Sequence, residues 1–258
     1  MSTDLSRYAL YPSLKDRTVF VTGGSSGIGA DIVIAFARQG AKVGFTGRNA
    51  AAAAKVVEAA AAVGPKPLFL QSDASSVEAL RQAIADTAAA FGDVNVLVNN
   101  VANDERHNIE DVTPDDFDWR VNINLRPAFF AAQAVLDGMK RQGGGVIVNV
   151  GSISWMIKGA GYPVYATCKS ATVGLTRSLA RDLGKLNIRV NTLSPGWIMT
   201  EKQINMWVDE AGEKLMDENQ CLPGRIVGSD VANMALFLSA DDSRMVTAQD
   251  FVVDAGWT

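Results

Sequence analysis

The chain has 258 residues, of which 48% are hydrophobic and 20% are charged, and it carries a net charge of −4. This composition is typical of a folded domain with a large core and excludes a disordered chain. The isoelectric point near 5.1 and the absence of any lysine or arginine block argue against nucleic acid and anionic membrane surfaces as partners.

The first residues, 1–17, include Asp4 and Arg7 among few apolar residues, which is not the pattern of a signal peptide. No stretch reaches the roughly 20 apolar residues that a membrane span requires, so we expect a cytoplasmic protein. One histidine and two widely separated cysteines, Cys168 and Cys221, argue against a zinc site, and we expect no metal. The cysteines fit packing in a reducing compartment better than a disulfide.

Short β-rich runs alternate with longer helical patterns along most of the chain. This alternation predicts an α/β fold, a doubly wound Rossmann-type parallel sheet with helices on both faces. The seven expected strands are 18–22, 42–46, 67–71, 94–99, 146–150, 189–194 and 251–254. The expected helices are 28–39, 50–63, 77–91, 117–141, 164–183 and 230–239.

The domain organisation follows from the absence of an internal repeat or a hinge. We expect a single domain over residues 1–258, with an N-terminal arm at residues 1–15. Residues 200–222 depart from the strand-helix alternation and carry irregular apolar faces. They would form a substrate lid, or alternatively an ordinary pair of surface helices.

A glycine-rich turn follows the first expected strand. Its sequence, Thr22-Gly23-Gly24-Ser25-Ser26-Gly27-Ile28-Gly29, separates an apolar run from a helical pattern. The unpaired N–H groups at the start of that helix, at the positive end of its dipole, suit a phosphate or pyrophosphate. Turns of this kind also occur where a chain only needs the positive φ of glycine, so the turn alone leaves both interpretations open.

Further candidates come from the loops after the other strands, because ligands of doubly wound sheets bind beyond the carboxyl ends of the strands. These loops hold small and polar residues at 47–49, 73, 99–102, 151–152 and 195–196. We therefore expect the site at this edge of the sheet.

Tyr165 and Lys169 are four residues apart in a predicted helix and so share one face. A free tyrosine titrates near pH ~10, and a neighbouring cation lowers the pKa of an acid by about 1 to 3 units, so this pair could supply a base. An amphipathic surface pair is the alternative.

Ser152 directly follows the fifth strand, where it could hold a substrate oxygen or be a turn serine. Asn124 lies within a predicted helix, where asparagine otherwise makes local hydrogen bonds.

The combination of TGGSSGIG, Asp73, NNVA, Asn124, Ser152, YATCK, NIRVN and PGWIMT, in this order and spacing, resembles the short-chain dehydrogenase/reductases over nearly the whole chain. The resemblance implies that Tyr165 is the general acid/base and that Ser152 holds the substrate oxygen. It also implies that Lys169 lowers the pKa of the tyrosine and holds the nicotinamide ribose, that Asn124 anchors a water relay, and that the protein is a homotetramer.

The resemblance and the loop positions together give the expected dinucleotide-binding residues. They are Gly23, Ser25, Ser26, Gly27, Ile28, Gly29, Arg48, Asn49, Asp73, Ala74, Asn100, Ala102, Tyr165, Lys169, Pro195, Gly196, Ile198 and Thr200. NAD-binding relatives carry an aspartate at the end of the second strand, where this chain has Thr46-Gly47-Arg48-Asn49. Arg48 can pair with a 2′-phosphate, so we expect NADP, with NAD as a possible substitute. Arg48 as a solvated turn residue is the alternative.

A narrower resemblance, to bacterial aldose 1-dehydrogenases of the xylose, arabinose and galactose type, rests on residues 11–15, 103–107, 151–155, 220–222 and 254–257. It implies oxidation of a sugar at C1 to the lactone. The expected substrate-binding residues are Asn103, Ser152, Ser154, Trp155, Tyr165 and Gln203, of which Asn103 replaces the usual glycine of the family. A carbonyl reductase acting on a 3-oxoacyl thioester or another ketone, and a nucleotide-binding module without turnover, are the alternatives.

Overall fold

A seven-stranded parallel sheet forms the centre of this computed structural model, which describes residues 8–258. Its strands are β1 (Thr18–Thr22), β2 (Lys42–Gly47), β3 (Leu68–Gln71), β4 (Val96–Asn99), β5 (Gly145–Val150), β6 (Ile188–Pro195) and β7 (Asp250–Val253). They pair in the order β3-β2-β1-β4-β5-β6-β7, each parallel to its neighbours. All seven predicted strands are confirmed.

The helices of the described residues connect and cover these strands. They are α1 (Gly27–Arg38), α2 (Ala50–Ala61), α3 (Val77–Phe91), α4 (Pro114–Asn124), α5 (Arg126–Arg141), α6 (Pro163–Leu183), α7 (Glu201–Trp207), α8 (Glu210–Asn219) and α9 (Gly228–Ser239). Within residues 8–258, none of them has both the length and the apolar character needed to cross a bilayer.

Both faces of the sheet are buried because successive side chains of a strand point to opposite sides. Val19 and Val21 of β1 pack in one hydrophobic cluster with α1, α2 and α9. Phe20, between them, packs in a second cluster with α3, α5 and α6. The predicted doubly wound Rossmann-type domain is therefore confirmed.

One predicted helix is wrong, because residues 117–141 form two helices. The first, α4, ends at Asn124, and Leu125 leaves the helical region with φ −128° and ψ −49°. Pro127 lies in the first turn of α5. It has no N–H for the helical bond to Ile123, and its ring clashes with that carbonyl, so a continuous helix cannot pass through this point.

The strand order reverses beside β1, which has β2 and β3 on one side and β4 to β7 on the other. At the carboxyl ends, Thr22 of β1 lies next to Asn99 of β4. The loops that leave these two strands open a crevice, the usual ligand site in such sheets. Asn100 links the two loops, since its Nδ2 donates to the carbonyl oxygen of Gly23 at 3.0 Å.

The two peripheral segments predicted from the sequence pack in different ways. Residues 1–7 of the predicted arm lie outside the described range. Of the remainder, Leu14 is buried in the core, and the backbone N–H of Tyr11 donates to Oε1 of Gln39 at 2.7 Å. Residues 200–222 contain α7 and α8, which lie beside the crevice.

Candidate active site

Two adjoining cavities lie at the carboxyl edge of the sheet. The glycine-turn cavity, about 320 Å³, is lined by Gly23, Arg48 and Asp73 among others. The catalytic cavity, about 560 Å³, is lined by Ser152 and Trp257 among others. Residues common to both linings mark their junction: Ile28, Asn100, Ala102, Asp104, Tyr165, Thr200 and Gln203. A ligand in one cavity therefore lies next to a ligand in the other.

The glycine turn packs so closely against neighbouring backbone that its glycines have no space for a side chain. Gly23 has φ +71°, and a Cβ there would lie 3.0 Å from the Cα of Val101. A Cβ on Gly29 would lie 2.1 Å from the carbonyl oxygen of Gly23. The N-cap residue of α1, Ser26, makes no side-chain cap, so the first N–H groups of the helix are available to an anion. The residues present thus fit the pyrophosphate of a dinucleotide.

Most residues expected to bind the dinucleotide line one of the two cavities. Gly27 lines neither, but its position is tight, since a Cβ there would lie 3.3 Å from Cγ2 of Thr200. Asn49 also lines neither: its Oδ1 accepts from the N–H of Ala52 at 3.0 Å and caps α2. Oδ1 of Asn49 is therefore engaged with the helix, and a role of this residue in binding the dinucleotide stays a prediction.

Arg48 and Asp73 both line the glycine-turn cavity. The backbone N–H of Ser75 donates to Oδ1 of Asp73 at 2.9 Å. This bond, with the Ser75 hydroxyl and the charge of Arg48, holds the pKa of Asp73 below its usual value despite partial burial. The Arg48 side chain is exposed, which leaves its guanidinium free to meet a ligand.

Tyr165, Ser152 and Lys169 come together in the catalytic cavity as predicted. The Ser152 side chain lies close enough to the phenol of Tyr165 to lower its pKa, and its Oγ accepts from the N–H of Ser154 at 3.1 Å. The Nζ of Lys169 lies 5.6 Å from the centre of the Tyr165 ring and donates to the carbonyl oxygen of Val150 at 2.7 Å. The end of β5 and the start of α6 therefore hold all three groups.

Burial shifts the pKa values of both Tyr165 and Lys169. It raises the pKa of Tyr165, and the hydrogen bond with Ser152 only partly offsets that rise. It lowers the pKa of Lys169 to about 8. Both groups are therefore disfavoured in their charged forms in the chain alone. The lowering of the phenol's pKa by Lys169 stays a prediction.

Asn124 has its side chain engaged with neighbouring backbone. Its Oδ1 accepts from the N–H of Asn103 at 2.8 Å, and its Nδ2 donates to the carbonyl oxygen of Arg120 at 3.0 Å. It also lines a small cavity together with Lys169. In this arrangement Asn124 fixes the start of the loop that follows β4.

The residues expected to bind substrate separate into two groups. Ser152, Ser154, Tyr165 and Gln203 line the catalytic cavity, and the buried hydroxyl of Ser154 has no hydrogen-bond partner there. Asn103 lines only the glycine-turn cavity, and Trp155 lines neither cavity, with 38% of its surface exposed. The 3₁₀ turn Ile153–Trp155 buries Ser154 and turns Trp155 outwards.

Sequence reasoning missed three contributors to the catalytic cavity, two of them aromatic and one charged. Trp197 and Trp257 both line it, with ring centres 6.4 Å apart. The guanidinium of Arg106 also lines it and lies 4.2 Å from the ring centre of Tyr162 and 4.9 Å from that of Trp207. Residues 104–107, which include Arg106, form a polar stretch that the sequence shows as a loop, but the path of this loop over the cavity depends on long-range packing.

Asp254 holds Trp257 in place. Its Oδ1 accepts from the N–H of Gly256 at 2.8 Å, and its Oδ2 accepts from the N–H of Thr258 at 2.8 Å and from the Thr258 hydroxyl at 2.9 Å. Asp254 is itself buried. The wall formed by Trp257 is therefore fixed by hydrogen bonds on either side of it.

The comparisons with known proteins agree with this site. Residues 23–258 match the family described as enoyl-(acyl carrier protein) reductase, and the chain is 46% identical to a probable galactose dehydrogenase of Rhizobium meliloti, covering 95% of this chain and 96% of the relative. The chain belongs to the short-chain dehydrogenase/reductase family. It is also 44% identical to the D-xylose 1-dehydrogenase of Caulobacter vibrioides, over 96% and 98% of the two chains.

Solved structures of short-chain dehydrogenase/reductases show the same fold. A putative short-chain alcohol dehydrogenase from Sinorhizobium meliloti is 31% identical with a TM-score of 0.90, covering 95% of this chain and 98% of that one. A blue fluorescent protein from a metagenomic library, solved in complex with NADPH, is 38% identical with a TM-score of 0.87, covering 95% and 99%. The chain is thus an oxidoreductase of a family that uses NAD(P).

Proposed function

We propose that this enzyme oxidises the C1 hydroxyl of a cyclic aldose, a pentose or a hexose, to the lactone, with NADP as the preferred acceptor. The observation that carries the proposal is the junction of the two cavities, where Tyr165, hydrogen-bonded by Ser152, separates the glycine-turn cavity from the catalytic one. The choice of a sugar as substrate is supported by two relatives at 44–46% identity, a D-xylose 1-dehydrogenase and a probable galactose dehydrogenase.

The residues at the junction would divide the chemistry between them. Ser152 holds the C1 oxygen of the sugar, and Tyr165 accepts the C1 hydroxyl proton at its phenolate oxygen as the carbon–oxygen double bond forms. The buried ammonium of Lys169 favours the phenolate. NADP, when bound, supplies the acceptor for the C1 hydride and a positive charge close to the phenol. Much of the acceleration comes from holding these groups in position.

The catalytic cavity has the mixed lining that a sugar requires. Trp197 and Trp257 offer apolar ring surface to C–H groups. Ser154 offers a buried hydroxyl that lacks a protein partner, and Gln203 offers an amide at the mouth. A buried polar group without a partner costs stability, so a substrate hydroxyl that pairs with Ser154 gains affinity. We propose Asn103 as a contact on the dinucleotide side and assign Trp155 no substrate contact.

We propose that NADP is preferred over NAD because no carboxylate follows Gly47 at the end of β2, and Arg48 stands there with an exposed guanidinium. A planar guanidinium pairs well with a 2′-phosphate. Asp73 also lines this cavity, and the backbone N–H and the hydroxyl of Ser75 already donate to its Oδ1.

We also propose a homotetramer. Phe117 and Trp119 of α4 and Phe129 of α5 expose 45%, 40% and 47% of their surfaces. An exposed aromatic surface of this kind usually marks an interface between subunits. The cytoplasmic location stays a prediction.

The test of the proposed function is a panel of aldoses, other alcohols and ketones, with the reduced dinucleotide followed by absorbance and the sugar product identified as a lactone. Oxidation of aldoses above all other substrates is the expected result. Preference for ketones with NADPH would favour a carbonyl reductase, and binding without turnover would favour a nucleotide-binding module. The Tyr165→Phe variant should bind the dinucleotide and lose turnover.

A further inference from the structure

The only histidine of the chain, His107, joins the loop after β4 to the start of α6, the helix that carries Tyr165 and Lys169. The backbone N–H of Val164 donates to Nε2 of His107, with 3.2 Å between the nitrogens. The backbone N–H of His107 donates to the carbonyl oxygen of Gly161 at 2.9 Å. Two hydrogen bonds thus connect this loop residue to the chain immediately before Tyr165.

The partners of the imidazole fix its protonation. The N–H of Val164 can only donate, so Nε2 must accept and carries no proton. The carbonyl oxygen of Glu105 can only accept, and it lies 2.9 Å from Nδ1, so Nδ1 must carry the proton. His107 is therefore a neutral imidazole in a single tautomer.

The start of α6 needs an acceptor from elsewhere. The first N–H groups of any helix lack partners within the helix, and a side chain at the N-cap usually supplies one. Here the N-cap residue is Tyr162, which makes no side-chain cap. Pro163, the first helical residue, has no N–H, and Val164 comes next. His107 supplies the missing acceptor, although it lies 57 positions earlier in the chain.

The loop that carries His107 is itself held by α4. The carbonyl oxygen of Glu105 also accepts from Nη1 of Arg120 at 3.0 Å. The Arg120 side chain is only 9% exposed and pairs with Asp116 at 2.8 Å. Together with the bond from Asn103 to Asn124, these contacts make the loop a rigid bridge between α4 and α6. A displacement of the imidazole would therefore move the start of the catalytic helix.

We propose that His107 is a positioning residue, a neutral cap donated from the loop after β4 that fixes the first turn of α6 and with it the phenol of Tyr165. Its effect on turnover rests on the proposed function, whereas its capping role does not. A misplacement of about 1 Å in reacting groups is enough to cost a large factor in rate.

Nitrogen-detected NMR tests the capping role directly, because a single histidine gives imidazole signals that need no assignment. The proposal expects a proton on Nδ1 and none on Nε2 at neutral pH, and a Val164 amide protected from exchange. The His107→Asn variant should lose this protection. A proton on Nε2 at neutral pH, or Val164 protection that is unchanged in the Asn variant, would overturn the proposal.

Two variants test the effect on turnover. His107→Gln keeps an oxygen acceptor within reach of Val164, and we expect a kcat within about threefold of wild type and a Val164 amide that stays protected. His107→Asn is too short to reach Val164, and we expect a kcat lower by about tenfold with an unchanged KM for NADP. Asn108→Ala, which removes only the bond to Asp111 on the same loop, is the control.

The two kinds of failure are distinguishable. Equal kcat values for the Asn variant, the Gln variant and wild type would overturn the positioning role even if the cap exists. If the wild-type protein oxidises no aldose at all, the proposed function fails, while the tautomer and the exchange of Val164 still decide whether His107 caps α6.

Discussion

Asp104 accepts a hydrogen bond from Gln203 across the mouth of the catalytic cavity, with 2.7 Å between Oδ2 and Nε2. Its other carboxylate oxygen pairs with Lys202. Because Asp104 belongs to the loop after β4 while Gln203 and Lys202 belong to α7, this one carboxylate ties the proposed lid to the body of the domain.

The first prediction concerns this connection. Replacing Asp104 by Asn removes the ion pair and weakens the hydrogen bond, so α7 should open more often. We expect the KM for the sugar to rise by about fivefold to tenfold, with a smaller change for NADP, in steady-state kinetics. Glu218→Gln is the control, since it removes the exposed 3.7 Å pair with Lys214 on α8 without touching the loop. Unchanged sugar kinetics in the Asp104 variant would argue against a lid.

The second prediction separates stability from binding at Ser154. The buried hydroxyl has no partner in the protein, so Ser154→Ala should leave the free energy of unfolding unchanged or raise it by about 1 kcal/mol. The same variant should raise the KM for the sugar about tenfold, because a substrate hydroxyl loses its partner. Urea unfolding and steady-state kinetics give the two values. A destabilised variant with normal sugar binding would contradict the proposed contact.

The third prediction concerns pH and Lys169. Burial lowers its pKa from 10.5 to about 8, so between these values the unfolded chain binds a proton that the folded chain does not. Stability must therefore rise with pH in this window, while the cost of burying the ammonium is fully present below it.

Urea unfolding of wild type and Lys169→Met at about pH 7 and about pH 10 measures this effect, and wild type should gain about 2 kcal/mol relative to the variant. Tyr165 acts in the opposite direction. Because its pKa is raised by folding, Tyr165 contributes fully to the free energy of unfolding below its ordinary pKa of 10.0, and this contribution is lost as the pH rises further. Parallel pH dependence of the two proteins would show that the lysine is not desolvated.

The fourth prediction tests the dinucleotide preference. Arg48→Ala should raise the KM for NADP about tenfold and leave the KM for NAD nearly unchanged, because only the 2′-phosphate contact is lost. Lys55→Ala removes a positive charge from the exposed side of α2, outside the cavity, and should change neither value. An unchanged KM for NADP in the Arg48 variant would remove the assignment.

The fifth prediction concerns assembly. Phe129→Asp places a charge in an apolar groove lined by residues of α4, α5 and α6, which the proposed tetramer would cover. We expect light scattering to show a smaller assembly than the wild type with unchanged helical content. Val63→Asp, at a half-exposed position after α2, is the control. A wild-type protein that is already monomeric would contradict the tetramer.

The sequence was sufficient for the sheet and the catalytic group because both depend on local patterns. Each strand is an apolar run bounded by turn residues, and the four-residue spacing of Tyr165 and Lys169 determines their shared face. The break at Leu125 was also visible in principle, since Pro127 marks it, but the apolar periodicity on both sides concealed it.

The remaining features depend on contacts between distant parts of the chain. The cap formed by His107 on Val164 requires the path of a loop with no regular pattern, and the direction of Trp155 depends on a single 3₁₀ turn. The raised pKa of Tyr165 results from how deeply α6 is buried, which spacing does not report. Residues were therefore easier to predict than their environments.

The hydrogen bonds that Asp254 makes to residues 256–258 have a practical consequence for handling the protein. Trp257 forms part of the catalytic cavity wall only while that short segment stays folded against its aspartate. An affinity tag fused after Thr258 would pull on the same segment, so a tag at this position is expected to disturb the wall that Trp257 forms.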